Sequence, residues 1–280
     1  MTSLNKNNYL PLIKEALKED RYDDDISSSL TIDPNRQATG LLIAKSDLVL
    51  AGIEIFNATF KEVDPNIAIK SLCNDKDQVA KGETIAVIEG NARSILAAER
   101  VGLNFLQRMS GIATKSATFV AAIKGYPAKI LDTRKTTPLL RILEKYSVVA
   151  GGAYNHRYDL SEMVLIKDNH IDIGGGITSV VNKVRMANKR IFIEVEVRTL
   201  EELAESLLLD INRILLDNMD INMTCEAVKL RANQIKLESS GSIDITNVRD
   251  YAKTGVDFIS IGELTHSVKV SDISLQIKQL

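Results

Sequence analysis

Ile191-Phe192-Ile193-Glu194-Val195-Glu196, Ile214-Leu215-Leu216-Asp217, Ile235-Lys236-Leu237-Glu238 and Phe258-Ile259-Ser260-Ile261-Gly262 recur about every 21 residues. Each run is short and apolar. A loop and a stretch of helical period follow it, as at 200–209 and 225–232. Lys129-Ile130-Leu131-Asp132 and Met163-Val164-Leu165-Ile166-Lys167 have the same character. Near-continuous apolar strands alternating with helices form a parallel sheet covered on its outer face. Six such runs predict a β/α barrel rather than an open sheet. Val148-Val149-Ala150 could supply a seventh short strand, and no eighth is visible, so the barrel is incomplete, with about six to seven strands.

Upstream of this array the rhythm changes. Residues 9–17 carry the period of a short amphipathic helix, and Glu19-Asp20-Arg21-Tyr22-Asp23-Asp24-Asp25 follows as an acidic stretch. Strand-like pieces at 37–45, 67–72 and 83–89 are punctuated by Gly40, Gly52, Gly82 and Gly90. From 94 to 105 the period turns helical, with Ile95, Leu96, Ala98, Val101, Gly102 and Phe105 on one stripe. The expected fold class is α/β: an N-terminal α+β domain over 1–111, a barrel over 112–270, and a tail at 271–280 returning to the first domain.

Composition sets outer bounds. With 280 residues, 45% hydrophobic and 26% charged, the chain can bury a substantial core and is not low-complexity. A net charge of −2 gives no bulk attraction to nucleic acid or anionic membrane. No apolar run approaches the roughly 18 residues of a spanning helix. The start, Met1-Thr2-Ser3-Leu4-Asn5-Lys6-Asn7-Asn8, lacks the apolar segment of a signal peptide. Cys73 and Cys225 are far apart and have no metal-type spacing. A reduced, cytoplasmic compartment is expected.

Where the strands end points to chemistry. Asp132, Lys167, Glu196, Asp217 and Gly262 stand at or just past the C-terminal tips of apolar runs, and barrels build their sites on that face. A strand must end in something polar, which explains any one tip; five tips of mixed sign suggest a site for an anion and a divalent metal. The densest patch comprises Asp132-Thr133-Arg134-Lys135-Thr136-Thr137-Pro138, Gly151-Gly152-Ala153-Tyr154-Asn155-His156-Arg157 and Leu165-Ile166-Lys167-Asp168-Asn169-His170. Two of the 3 histidines lie there, among Arg134, Lys135, Arg157 and Lys167. Arginine grips carboxylate or phosphate in a bidentate fork and lysine acts as a point charge. Ser240-Gly241-Ser242 and Gly262-Glu263-Leu264 follow the last two runs, where small residues and a following helix suit a phosphate, with His266 nearby. Their glycines could equally be making turns alone. Gly174-Gly175-Gly176 lacks the spacing of a dinucleotide loop and reads as a flexible strand-to-helix connection. Residues 78–90 resemble a lipoyl- or biotinyl-carrier strand pair without an attachment lysine, and are expected to be structural.

These blocks resemble the signatures of the quinolinate phosphoribosyltransferase family, also called nicotinate-nucleotide pyrophosphorylase (carboxylating). The likeness continues through Asp25-Ile26-Ser27-Ser28, Glu99-Arg100-Val101-Gly102-Leu103-Asn104, Ser110-Gly111-Ile112-Ala113-Thr114, Glu194-Val195-Glu196-Val197, Leu216-Asp217-Asn218, Glu238-Ser239-Ser240-Gly241 and Ile261-Gly262-Glu263-Leu264-Thr265-His266-Ser267. It covers nearly the whole chain, in family order. Leu139, Ala153 and Ser242 stand where the family commonly shows glycine.

The resemblance implies transfer of the phosphoribosyl group of phosphoribosyl pyrophosphate (PRPP) to quinolinate, releasing pyrophosphate and CO₂ and giving nicotinate mononucleotide for NAD synthesis. It implies that Arg134, His156, Arg157 and Lys167 bind the quinolinate carboxylates, with Thr133 beside them. Arg100 would reach the pocket from a partner subunit, making an obligate homodimer. Lys135 would contact PRPP, and Glu196 and Asp217 would face its ribose and Mg²⁺, directly or through water. Lys135, Lys167, Glu196 and Asp217 are the expected catalytic set; Ser240, Gly241, Ser242, Gly262, Glu263 and His266 would hold the ribose 5-phosphate. A same-fold paralogue associated with molybdenum transport, or a non-enzymatic anion-binding barrel, are the alternatives. The intact cations argue against the first, and Glu196 with Asp217 against the second.

Overall fold

Two kinds of strand patterning build two kinds of sheet. The computed structural model describes residues 4–231 and 235–279; the first three residues of the polar start and the Ala232 end of the 225–232 helical stretch lie outside them. In chain order the elements begin α1 (Lys6–Glu19), α2 (Ile26–Thr31), β1 (Gln37–Ala44), β2 (Leu48–Val49), α3 (Ile53–Val63), β3 (Ala68–Ser71), β4 (Gln78–Val79), β5 (Thr84–Asn91) and α4 (Ala92–Ala122). They continue with β6 (Lys129–Leu131), α5 (Arg141–Ala150), β7 (Val164–Ile166), α6 (Asp168–Gly174), α7 (Ile177–Ala187), β8 (Ile193–Val197) and α8 (Leu200–Ser206). The last are β9 (Arg213–Asp217), α9 (Ile221–Leu230), β10 (Lys236–Ser240), α10 (Val248–Lys253), β11 (Phe258–Ser260), α11 (Glu263–His266) and β12 (Ile273–Gln279). The chain divides into two units: Met1–Ala117, Thr136–Gly152 and Leu264–Leu280 in one, Thr118–Lys135 and Ala153–Glu263 in the other.

In the first unit β1 buries Ala38, Leu42 and Ala44 at alternate positions, as a strand with one face on the core must. It pairs antiparallel with β5 and β12, and β3 completes the order β12-β1-β5-β3. β12, Ile273–Gln279, is the edge strand of this sheet beside β1. Phe56 and Phe60, with ring centroids 4.6 Å apart, fill the core beneath α4. A Cβ on Gly102 of α4 would stand 2.9 Å from the Phe60 ring, so glycine is what lets the helix approach. A second apolar cluster joins Tyr9, Ile13 and Leu17 of α1 to Ile55, Met109 and Leu143. Asp25 caps α2, accepting from Ser28 N at 3.1 Å.

Val148-Val149-Ala150 is not a strand. These residues close α5, whose Leu143, Ser147, Val148 and Ala150 are buried; packing overrides the β preference of the two valines. Glu144 of α5, almost fully buried, pairs with Arg108 at 2.6 Å and accepts from Thr137 N at 3.1 Å.

The second unit is a parallel sheet in the order β6-β11-β10-β9-β8-β7. All five residues of β8 are buried, as expected of a strand covered on both faces. The barrel does not close: among the described residues β6 and β7 are not paired, and the free side of β6 carries only an isolated parallel bridge from Leu131 to Tyr154. Gly174-Gly175-Gly176 joins two helices, α6 and α7, rather than a strand to a helix. Asp168 to Gly174 had no apolar period to reveal the extra helix, and Gly175 and Gly176 turn the chain at φ +84° and +101°.

Candidate active site

Register decides which side chains share a face. Leu165 lies beside Glu194, Glu194 beside Arg213, and Glu196 beside Leu215. Leu215 lies beside Glu238, Asp217 beside Ser240, Glu238 beside Phe258, and Ser260 beside Leu131. Because side chains alternate, these residues project from one side of the sheet. Lys167 continues the row of Leu165, as Gly262 does that of Ser260. Lys167, Glu196, Asp217 and Ser240 therefore collect at the carboxyl ends of neighbouring strands, on one face.

Contacts on that face are specific. Lys167 Nζ lies 2.8 Å from Glu196 Oε2. Lys167 N donates to His170 Nδ1 at 3.0 Å, which fixes the start of α6 and leaves His170 a capping role. Asp217 Oδ2 accepts from Asn218 Nδ2 at 3.0 Å, and Asn218 N donates to Ser240 O at 2.9 Å. Gly241 has φ +98°, and a Cβ there would stand 2.2 Å from Asn218 Oδ1. Its glycine is therefore required by the Asp217-Asn218 turn against which it packs. Ser242 is exposed at φ +51° and its carbonyl accepts from Asn247 Nδ2 at 3.1 Å. The next helix, α10, starts only at Val248, so no helix end stands directly behind this loop.

The cations come from two loops. After β6, Thr133 Oγ1 accepts from Lys135 N at 3.1 Å, a local turn that leaves Lys135 exposed, with Arg134 half-buried. Asp132 is wholly buried and accepts from Asn155 Nδ2 at 2.6 Å and His156 N at 2.8 Å. This strand-tip carboxylate thus holds the Asn155-His156-Arg157 loop. Arg157 is buried, and its Nη1 donates to Met163 O at 3.3 Å. Burial pulls its guanidinium below the ordinary value and Arg134 pushes it the same way, against Glu194 and Asp159. A buried guanidinium that also feels the positive charge of Arg134 favours a bound anion. Arg100 and His266 belong to the first unit: both are exposed, Arg100 on α4 and His266 at the end of α11. Glu263 opens α11, with Gly262 just before it, both half-buried.

Comparison with known proteins matches this geometry to a family. Residues 112–276 match the family model "Quinolinate phosphoribosyl transferase, C-terminal domain", and residues 25–110 match its N-terminal counterpart. The chain belongs to the quinolinate phosphoribosyltransferase family. It is 43% identical over 286 residues to the chloroplastic nicotinate-nucleotide pyrophosphorylase [carboxylating] of Oryza sativa subsp. japonica, covering 95% of this chain and 76% of that one. To the Mycobacterium leprae nicotinate-nucleotide pyrophosphorylase [carboxylating] it is 40% identical over 271 residues, 95% of each. The solved structure of NadC from Streptococcus pyogenes superposes with a TM-score of 0.96 at 37% identity, covering 100% of both chains. That of the Francisella tularensis nicotinate-nucleotide pyrophosphorylase gives 0.95 at 38%, covering 99% and 98%.

Within this quinolinate phosphoribosyltransferase fold a buried polar group lies below the strand tips, without a motif in the sequence to mark it. Glu194, Arg213, Glu238 and Ser260 sit deeper on the same face than the tip residues. Arg213 Nη1 lies 2.6 Å from Glu238 Oε2, and Ser260 Oγ donates to Glu238 Oε1. The Arg213 guanidinium lies 4.6 Å from the Phe258 ring and 5.3 Å from that of Phe192. Burial foremost, and Glu194 next, push Glu238 up to about 7; burial likewise raises Glu194. The available signal was a carboxylate in mid-strand, in runs expected to be covered on both faces: such a group must have a buried partner.

Proposed function

We propose that the chain transfers the phosphoribosyl group of PRPP to quinolinate, with loss of pyrophosphate and CO₂, to give nicotinate mononucleotide. The observation that carries this reading is one sheet face holding Lys167, Glu196 and Asp217 together, in a chain whose relatives are named for that reaction. Arg134, Arg157 and Lys167 grip the two carboxylates and aim the pyridine nitrogen at the anomeric carbon. That nitrogen has a lone pair and no proton to lose, so attack needs no general base. Lys135 takes the diphosphate end, with Thr133 shaping its turn. Ser240-Gly241-Ser242, Gly262 and Glu263 hold the 5-phosphate. Once the ring nitrogen is alkylated it is cationic and accepts the electron pair released when the adjacent carboxylate leaves as CO₂.

Glu196 and Asp217 offer hard oxygen donors, which fits Mg²⁺. They would hold the ion, and bound there it supplies charge neutralisation for the departing pyrophosphate. Glu196 is also the counter-ion of Lys167 at 2.8 Å, so it holds that ammonium at the mouth. Cys73 and Cys225 are both free thiols, in accord with a reducing, cytoplasmic setting. No helix among the described residues is long and apolar enough to cross a membrane.

The deciding experiment supplies quinolinate carboxyl-labelled at the 2-position, PRPP and MgCl₂, and follows labelled CO₂ and nicotinate mononucleotide. Equal yields are expected, with poor turnover of nicotinic acid in place of quinolinate; tight anion binding without product would overturn the reading. Arg100 is proposed to serve the site of a second copy. Mixing inactive Arg100→Ala chains with inactive Lys167→Ala chains should then restore about a quarter of wild-type activity, since a mixed dimer has one intact site. No recovery in proven mixed dimers refutes sharing.

A further inference from the structure

The His156 ring is placed where it serves the protein rather than an anion. Its Nδ1 accepts the Arg157 backbone N–H at 2.7 Å, so this nitrogen carries the lone pair and the ring proton sits on Nε2. Nε2 lies 2.9 Å from Glu194 Oε2 and 3.4 Å from Glu238 Oε1. The side chain is only 6% exposed. A ring whose two nitrogens face a backbone amide and two buried carboxylates is held by the protein around it.

We propose that Glu194, Glu238, Arg213 and Ser260 are positioning residues: they lock the His156 ring, and the ring, through Nδ1, fixes the backbone of Arg157 and so the reach of its guanidinium to substrate. This rests on the reading that Arg157 grips quinolinate. The geometry supports a chain of contacts running from strand to loop. Ser260 and Arg213 hold Glu238 from β11 and β9. Glu238 and Glu194 from β10 and β8 face the ring, and Asp132 holds His156 N from the other side. Glu194 is completely buried, and the positive groups that act on it are the Arg213 guanidinium, 3.6 Å away, and Arg157, with the His156 ring beside its Oε2.

A metal ion is the rival occupant. His156, Glu194 and Glu238 offer one ligand atom each, all within 4.8 Å of one another. Arg213 answers that reading: its guanidinium already sits 2.6 Å from Glu238 and within 5.3 Å of the Phe192 and Phe258 ring centroids, where it supplies the cation. Adding a divalent ion beside a fixed guanidinium would set like charges against each other in a desolvated place.

The test separates the two nitrogens of the ring. Asparagine can place its amide oxygen near the position of Nδ1, so His156→Asn keeps an acceptor for Arg157 N while giving up Nε2; His156→Ala gives up both. Steady-state kinetics should show KM for quinolinate raised about ten- to a hundredfold in His156→Ala, with KM for PRPP little changed and much of the loss recovered in His156→Asn. Glu238→Gln, which keeps the shape, should raise the same KM severalfold; Glu238→Leu should raise it further or fail to fold, in which case the His156 pair decides. Arg157→Ala is the control for the underlying reading. If it leaves KM for quinolinate unchanged, the assignment of Arg157 to substrate is wrong. If it raises that KM while both His156 variants match each other, positioning through Nδ1 is wrong. Zn²⁺ titration of the wild-type protein should show no stoichiometric uptake that depends on both His156 and Glu238; such uptake would overturn the charge-block reading in favour of a metal site.

Discussion

The core beside the first unit's sheet is carbon, whereas one face of the second unit's apolar sheet also carries buried charge. Beneath α4 the contacts are Leu42, Phe56, Phe60, Ile85, Ile88 and Ile95, none of them exposed. On the corresponding face of the parallel sheet stand Glu194, Glu196, Arg213 and Glu238, three of them buried carboxylates. The barrel interiors of this fold class are ordinarily filled by branched aliphatic side chains. Dispersion and apolar burial are forgiving: losing one contact removes that contact and leaves a void. Buried charge is unforgiving, because deleting one partner strands the other. A unit built the first way is a scaffold, whereas one built the second way carries chemistry and depends on every member.

The contrast breaks most visibly in the scaffold. Phe60→Ala should cost about 3–5 kcal/mol of stability, read as a lowered denaturant midpoint, while kcat/KM per folded molecule stays near wild type. Activity lost in proportion beyond the unfolded fraction would mean that the two regions are not divided in this way. Arg157→Ala should do the reverse. A substrate carboxylate left without its cation costs on the order of 2–5 kcal/mol, or tens to thousands in kcat/KM, and the melting temperature should hardly move. A variant within about twofold of wild type takes Arg157 out of the site.

How much of this division could be read from the chain alone follows from the same physics. Period-two alternation at 37–45 and the 21-residue recurrence of apolar runs report burial on one face or two, and the strands lie where those patterns put them. Tip residues such as Lys167, Glu196 and Asp217 were visible because polarity at a strand end stands out. Val148-Val149-Ala150 misled because β-branching says nothing about the apolar partners that hold α5 helical. Asp132 looked like a site carboxylate, yet its task is to accept from Asn155 and His156 N. The inner carboxylates were hidden in plain apolar context: Glu194 needs Arg213 and His156, and Glu238 needs Arg213 and Ser260. Those partnerships are made by register and loop position, not by neighbours in sequence.

pH offers a gentler probe. Burial, then Glu194, hold Glu238 up to about 7 in the folded chain, against an ordinary value of 4.5. Between those values the native state binds a proton that the unfolded state does not, so stability falls as pH rises. Raising pH from about 5 to about 8 should therefore cost roughly 1–3 kcal/mol through this group, opposite in sign to ordinary acid unfolding. Glu238→Gln should flatten the slope. An unchanged slope in that variant would place the titrating group elsewhere, and a rising slope in the wild type would mean Glu238 is ionised throughout.

The smallest effects compare one strained residue in each unit. Leu139, 83% exposed, has φ +67° in the first unit, and Ser242, also exposed, has φ +51° in the second. A left-handed backbone costs a side-chain-bearing residue roughly 1–2 kcal/mol, and glycine removes that cost but gives back about 0.4–1 kcal/mol through the freer unfolded chain. Leu139→Gly should then stabilise by about 0.5 kcal/mol, with kinetics unaltered. Ser242→Gly should gain no more, since a short polar side chain tolerates the conformation better than leucine does. Ser242 also borders Gly241 and the proposed 5-phosphate loop, so loosening it should raise KM for PRPP about twofold, where Leu139→Gly leaves it alone. Melting curves and KM for PRPP, taken together on both variants, separate the cases. If Leu139→Gly destabilises, the leucine is fixed by contacts outside the single chain, and its exposed side chain becomes a point at which a second copy docks.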